Sequence, residues 1–408
     1  MDCARVKKKP FLFADDTTLI ATANGSTATT NILNRDLAKF YNWSLTWQVT
    51  FNASKSKDII YTKSLLPSYP TILGQQFIER VNLIKHLGLY ITSDLSWDKQ
   101  IESIVRKVNL KLLIMYQVKG LSRQCLDSLY KLNIRSSIDH AIVVFGPSLT
   151  AQQLRKLDSL NYRAARIVSG CLRYTNSEKL LNDLGWENTS MRIEYLSLTL
   201  FYKIRYGLTT QPVQECLPPL LNSQYPTKRT FQHYPFKCNF FTNSYFPYAI
   251  KSWDSLEPSL RDEHDFTVFK LKLKDKLKPH KFKHFNCGFR YPNTLHTQLR
   301  VGRSFLNSHM FDIGQSTSKS CPQCGYFNES TEHYLLDCPA YADIRVQLFS
   351  KLEGLLENKP NTYSKKSLIQ ILLCGEKPQL PNKYIHNMFI FLSVQSFICK
   401  TKRLFSRN

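Results

Sequence analysis

The chain has 408 residues, 43% of them apolar and 21% charged, which is ordinary for a globular protein long enough for two or three cores. Its balance of 55 Lys and Arg against 31 Asp and Glu leaves a formal net charge of +24, a surplus that favours a polyanionic partner because each neutralised phosphate releases counterions. The start, Met1-Asp2-Cys3-Ala4-Arg5-Val6-Lys7-Lys8-Lys9, lacks the apolar stretch of a secretory signal, and no apolar run reaches the roughly 18 residues of a membrane helix.

The 11 Cys are odd in number and scattered. With no secretory signal, this predicts an intracellular protein of nucleus and cytoplasm, whose clustered thiols bind metal rather than form disulfides. Lys7-Lys8-Lys9 is either an import patch or a solvated run before a strand.

In chain order, Phe11-Leu12-Phe13 and Thr18-Leu19-Ile20 flank Ala14-Asp15-Asp16-Thr17, the pattern of a tight hairpin with acids at its tip. A helix is predicted from about Ser26 to Trp47. Short strands follow around Ile59 to Thr62, Thr71 to Phe77 and Val81 to Tyr90. From Trp97 the apolar period changes from 2 to 3.6, with Ile101, Ile104, Val105, Val108, Leu112 and Met115 on one face. Ser122 reads as the N-cap of a second helix. A third runs from about Thr150 to Ser169, with Arg155, Lys156, Arg163 and Arg166 on its outer face, and a fourth from Ser190 to Tyr206.

Pro212, Pro218, Pro219, Pro226 and Pro235 mark a connector rich in rings, Phe231 to Tyr248, with Lys228, Arg229 and Lys237. Those rings either pack together or offer a base-stacking surface. A basic amphipathic stretch, Phe266 to Lys283, precedes a Cys/His cluster, and a helix near Lys383 to Phe405 ends the chain. The fold class is α+β, in five parts: 1–95, mixed strands and helix; 96–210, helical; 211–295, connector; 296–345, Cys/His cluster; 346–408, helices.

Two constellations carry chemistry. Asp15-Asp16 is either a solvated turn or a pair of oxygen ligands for Mg²⁺, the cation that steadies attacking and leaving oxygens in phosphoryl transfer. The second is Cys321-Pro-Gln-Cys324-Gly, His333 and Cys338, spaced C-x2-C-x8-H-x4-C. Three thiolates and an imidazole make a closed, structural Zn²⁺ site with no position left for a reacting water, and Gly325 suits the turn around the sulfur. His280, His284 and His309 have no partner at ligand spacing.

Phe11 to Leu19 resembles the [FY]-A-D-D box in the palm of non-LTR (LINE/jockey-like) retrotransposon reverse transcriptases. Phe51-Asn52-Ala53-Ser54-Lys55-Ser56-Lys57 is similar to that family's N-x-x-K-[ST] motif. Ile84-Lys85-His86-Leu87-Gly88-Leu89-Tyr90 resembles its primer-grip hairpin, with His86 where Tyr is usual, and Ser93 to Trp97 extends the match. Asn243 to Pro258 is similar to a further family block. Glu329 through Tyr341 resembles the segment closing the family's C-terminal CCHC zinc knuckle.

The resemblance implies a truncated reverse-transcriptase palm in 1–95, a helical thumb in 96–210 and a small zinc-knuckle region toward the end. Asp15 would be the metal-ligating carboxylate and Asp16 a weaker ligand. Lys55 would sit near the leaving pyrophosphate, and His86, Leu87 and Gly88 would hold the primer end. The thumb's basic face, including Arg163 and Arg166, would track the RNA and DNA of a template–primer; the plain alternative is a solvated charged surface.

The family's other catalytic Asp lies on a strand well upstream of the A-D-D box, and only ten residues precede Phe11. The expectation is therefore a reverse-transcriptase fragment that does not polymerise alone. The alternative is a retroelement-derived, non-catalytic zinc-knuckle protein that binds RNA or DNA. Oligomeric state is left open.

Overall fold

The computed structural model of the chain describes residues 10–61, 69–221, 230–232, 239–277, 279 and 282–405. Lys7 to Lys9, Thr62, Lys228, Arg229, Lys237 and His280 lie outside them, as do the rings of Tyr234 and Phe236. The chain divides into two compact units, Met1–Ser103 and Ile104–Asn408. The architecture is α+β, with the strands in the first unit and a mainly helical second unit.

In the first unit, β1 (Phe11–Phe13) and β2 (Asp16–Thr18) form the expected antiparallel hairpin, with Phe13 opposite Asp16. Helix α1 occupies Ser26–Trp47, as the apolar period indicates. The next strand differs from expectation: β3 is Lys57–Asp58, ahead of the predicted Ile59 to Thr62. Its position is fixed by Asp58, whose buried carboxylate accepts bonds from Arg80 Nε at 2.8 Å and Thr71 Oγ1 at 2.8 Å.

The predicted strand Thr71 to Phe77 is two strands, β4 (Thr71–Leu73) and β5 (Gln76–Arg80), because the chain turns at Gly74-Gln75. The sheet order is β3-β5-β4, with β3 parallel to β5. Asn34 of α1 holds β4 in place, donating to Pro70 O at 3.1 Å and accepting from Ile72 N at 2.9 Å. The core here is small, built on Leu37, Ala53 and Leu73. Phe11, Leu12 and Phe13 stand exposed along the hairpin.

A second hairpin pairs β6 (Leu83–His86) with β7 (Leu89–Thr92). Its two-residue loop, Leu87-Gly88, has positive φ at both positions (46° and 85°), the turn whose twist matches the strands. Gly88 adopts that conformation freely, whereas Leu87 does so at a steric cost. Helix α2 (Asp98–Gln117) follows and runs on into the second unit.

The predicted helix starts hold in the second unit. Ser122 caps α3 (Arg123–Leu129), its side chain accepting from Cys125 N. Thr150 and Gln153 form a reciprocal capping box on α4 (Ala151–Ser169), which ends at Gly170 in the left-handed conformation. Asn176 caps α5 (Ser177–Leu184) and Asn188 caps α6 (Thr189–Arg205). Further helices are α7 (Tyr245–Asp254), α8 (Phe266–Leu277), α9 (Arg290–Arg300), α10 (Ala342–Glu353), α11 (Lys365–Cys374) and α12 (Tyr384–Thr401).

Two of the connector rings pack inward, Phe231 fully and Tyr245 in part. Phe231 joins Phe201, Tyr202, Trp253 and Phe269 in one cluster, which is the packing reading of that segment. A larger cluster is built from α9 to α12 and the Cys/His segment.

Asp183 is sandwiched between Arg123 and Arg300, all three buried. Burial raises its carboxyl pKa, but the Arg300 and Arg123 guanidiniums outweigh that and hold it below the usual carboxylate range. Arg290 reaches from α9 to the carbonyl of Ile167, and Gln298 to that of Gly170, so the end of α4 is tied to α9.

Candidate metal centre and carboxylate hairpin

Cys321, Cys324, His333 and Cys338 converge so that their four ligand atoms lie within 4.8 Å of one another. Cys321 and Cys338 Sγ are 3.9 Å apart, and Cys324 Sγ lies 3.3 Å from His333 Nε2. Tetrahedral zinc with Zn–S near 2.3 Å places its sulfurs about 3.8 Å apart, so the pairs already stand near coordination distance. Among the described residues this is the one group of three or more His, Cys, Asp and Glu drawn together for a metal.

Local backbone explains the convergence. Cys321 N donates to Tyr326 O at 2.8 Å and Gly325 N to Cys321 O at 2.9 Å, a knuckle that turns the backbone under the two sulfurs. Gly325 has φ +74°, so a side chain there would be strained although nothing lies within 4 Å to clash. His333 and Cys338 are five residues apart, about 140° out of register on an α-helix. Residues His333–Asp337 instead form a π-turn, closed by Cys338 N on His333 O at 2.7 Å, which sets both ligands on one side.

Burial pushes the Cys321 thiol up to about 12 and raises Cys338. Cys324 is also penalised by burial, but the Tyr326 backbone N–H and the neighbouring thiols turn its shift downward. Burial, with Arg345 nearby, lowers His333, keeping its imidazole neutral and able to ligate. Cys321 and Cys338, costly to ionise alone, suit a divalent cation, whose charge supplies what burial withholds. The donor set thus fits a structural zinc ion.

The paired carboxylates are arranged differently. Asp15 and Asp16 are exposed at the tip of the β1–β2 hairpin, behind Ala14 at φ 53°. Lys55 is exposed on a turn organised by Asn52. The Asn52 side-chain oxygen accepts from Lys55 N at 3.1 Å and Ser54 Oγ at 2.7 Å, and its carbonyl accepts from Ser56 Oγ at 2.9 Å. His86, Leu87 and Gly88 form the end of the second hairpin. On α4, Arg163 is exposed and bonded to Asn109, while Arg166 is half-buried, 6.0 Å from the Tyr162 ring.

No family model matches the chain. Curated relatives do: over 176 residues, 42% of this chain, it is 22% identical to the RNA-directed DNA polymerase from mobile element jockey of Drosophila funebris. It is 23% identical over 176 residues to the jockey polymerase of Drosophila melanogaster. A probable RNA-directed DNA polymerase from transposon X-element of the same fly matches at 22% over 151 residues, 36% of this chain. The chain is similar to RNA-directed DNA polymerases of retrotransposons over these stretches. It matches less than a fifth of those relatives' length, 19% of each jockey protein and 16% of the X-element one.

Around the metal centre, several supporting residues were not legible from spacing. Glu329 is fully buried; Arg403 Nε donates to its Oε1 at 2.6 Å and Asn307 N to its Oε2 at 2.7 Å. Arg345 donates to Leu335 O at 3.0 Å and Cys338 O at 2.6 Å. His284 and His309, which sequence left without a role, bond the Cys374 carbonyl and Ser304.

Proposed function

We propose that this chain is the template–primer-binding part of a non-LTR retrotransposon reverse transcriptase and that the 408-residue chain does not polymerise by itself. The observation that carries the reading is the similarity to jockey and X-element polymerases, joined to an A-D-D hairpin in a chain of charge +24. In this reading residues 1–95 are palm, 96–210 thumb, 211–295 connector, 296–345 zinc knuckle and 346–408 terminal helices. Asp15 and Asp16 ligate Mg²⁺, Lys55 faces the pyrophosphate, and His86, Leu87 and Gly88 hold the primer end.

Catalytic incompleteness is argued from the carboxylates. Among the described residues, Asp15 and Asp16 gather no further acid into a metal-holding group, and both stand exposed. Two exposed carboxylates at one corner hold Mg²⁺ weakly and leave the nucleotide unpositioned. The exposed Phe11, Leu12 and Phe13 support the same reading, as apolar surface that the rest of a palm would cover.

The thumb's basic face, with Arg155, Lys156, Arg163 and Arg166, binds phosphates of RNA and DNA. Equilibrium binding of a labelled RNA-template–DNA-primer duplex, titrated against salt, tests this. The expected result is a steep fall of log K with log salt, with a slope that flattens by about 1 in Arg163→Ala, where one cation no longer meets its phosphate. A flat salt response would overturn the phosphate-tracking reading. Asp15→Ala should leave binding intact.

A further inference from the structure

The ligand set leaves open what holds it. Zinc bound by three thiolates and a neutral imidazole carries one net negative charge, and Glu329 buries another beside it. Buried charge of one sign is costly unless it is paired. Two guanidiniums supply the balance: Arg403, paired through Nε and Nη2 with both Glu329 oxygens, and Arg345, bonded to the carbonyls of Leu335 and Cys338.

These bonds tie the metal loops to the last helix. Glu329 N donates to Lys319 O at 2.7 Å, so the carboxylate's own backbone closes the loop that bears Cys321 and Cys324. Arg403, just past the end of α12, clamps that carboxylate and also reaches Asn307 Oδ1 at 3.3 Å. Tyr334, next to the ligand His333, meets Thr401 of α12 at 2.6 Å between hydroxyls. Arg345, from α10, spans the carbonyl of the fourth ligand and that of Leu335 within the π-turn.

We infer that Arg345 and the Glu329–Arg403 pair are positioning residues of the metal centre, and that through the Glu329–Arg403 pair and the Tyr334–Thr401 contact metal binding and docking of α12 stabilise each other. The inference rests on the Cys321, Cys324, His333, Cys338 group binding zinc. Arg345 fixes the π-turn that sets His333 and Cys338 in register. Glu329 and Arg403 fix the knuckle against the end of the chain.

The test uses the full chain. Zinc affinity is measured by competition with a chromogenic chelator for wild type, Arg345→Met, Arg345→Lys, Arg403→Met and a control, Lys99→Met, whose exposed pair with Glu102 lies within α2 and includes no metal-loop residue. Removing an outer-shell partner costs about 10–100-fold in affinity, so Arg345→Met and Arg403→Met should weaken binding by that factor. Arg345→Lys should recover part of it, and the control should bind as wild type does. The cobalt-substituted spectrum should shift in the Met variants, which a fall in stability alone would not produce.

A second measurement needs no variant: hydrogen exchange of residues 384–401 with zinc bound and after chelation. Faster exchange on chelation supports the coupling. Equal affinities across the variants, or unchanged exchange in α12, overturns the inference while leaving zinc binding in place. Failure of the wild type to bind zinc would instead remove the metal reading beneath it.

Discussion

Asp183→Asn is the substitution that most directly probes what holds the second unit together. Asp183 is fully enclosed, with side-chain exposures of 3% for Asp183, 6% for Arg123 and 5% for Arg300. The guanidiniums have other partners: Arg123 reaches Asp183 O at 3.0 Å and Thr297 Oγ1 at 3.2 Å, and Arg300 reaches Leu373 O at 3.1 Å and lies over the Phe285 ring. None of these carries a negative charge. Replacing the carboxylate with an amide therefore leaves two buried cations facing one another across a neutral group.

Removing one partner of a buried ion pair costs about 3–5 kcal/mol, because the remaining charge stays desolvated. With a urea slope of about 3 kcal/mol/M for a unit of this size, the midpoint should fall by roughly 1–2 M. Urea unfolding followed by the fluorescence of buried Trp186 and Trp253 reports it. Replacing the whole network, as in Arg123→Met with Asp183→Leu and Arg300→Met, should restore most of the stability, because no charge is left unpaired. A midpoint shift under about 0.3 M in Asp183→Asn, or a triple variant as unstable as the single one, would refute the electrostatic reasoning.

Other outcomes follow from the same structure. His296 is fully buried, and burial with the Arg300 cation nearby holds it down to about 3. A pKa depressed in the fold gives stability that is complete above the unfolded value near 6.5 and falls away as pH drops toward 3. Urea unfolding should therefore show a decrease of about 2 kcal/mol between about pH 7.5 and 5 that disappears in His296→Asn. Cys338→Ser should lower bound zinc to about a tenth of wild type or less, measured by metal analysis of folded protein. Gly325→Ala meets no clash but a strained φ of +74°, so it should cost about 1–2 kcal/mol of stability in urea and leave zinc stoichiometry unchanged.

Local structure was most legible where periodicity and caps coincide. The run from Ser26 to Trp47, the Ser122 cap and the Thr150 start are all where the sequence places them, because each depends on residues within one or two turns. The strand near Ile59 was misplaced because its position depends on Asp58 meeting Arg80, 22 residues away. The single strand expected from Thr71 to Phe77 hid a turn at Gly74-Gln75, where one glycine was the only signal.

At the metal centre, ligand types and spacing were enough to find the four side chains. Their register was not, since H-x4-C suits a π-turn that no periodicity announces. Arg403 was invisible for a simpler reason: it meets Glu329 across 74 residues of chain.

The most direct test of the account is magnesium-dependent extension of a labelled DNA primer on an RNA template by the purified 408-residue chain, alongside binding of the same duplex. The account predicts salt-sensitive binding, unaffected by Asp15→Ala, and no extension. Extension by the wild-type chain that Asp15→Ala abolishes would contradict it, as would failure to bind the duplex at low salt.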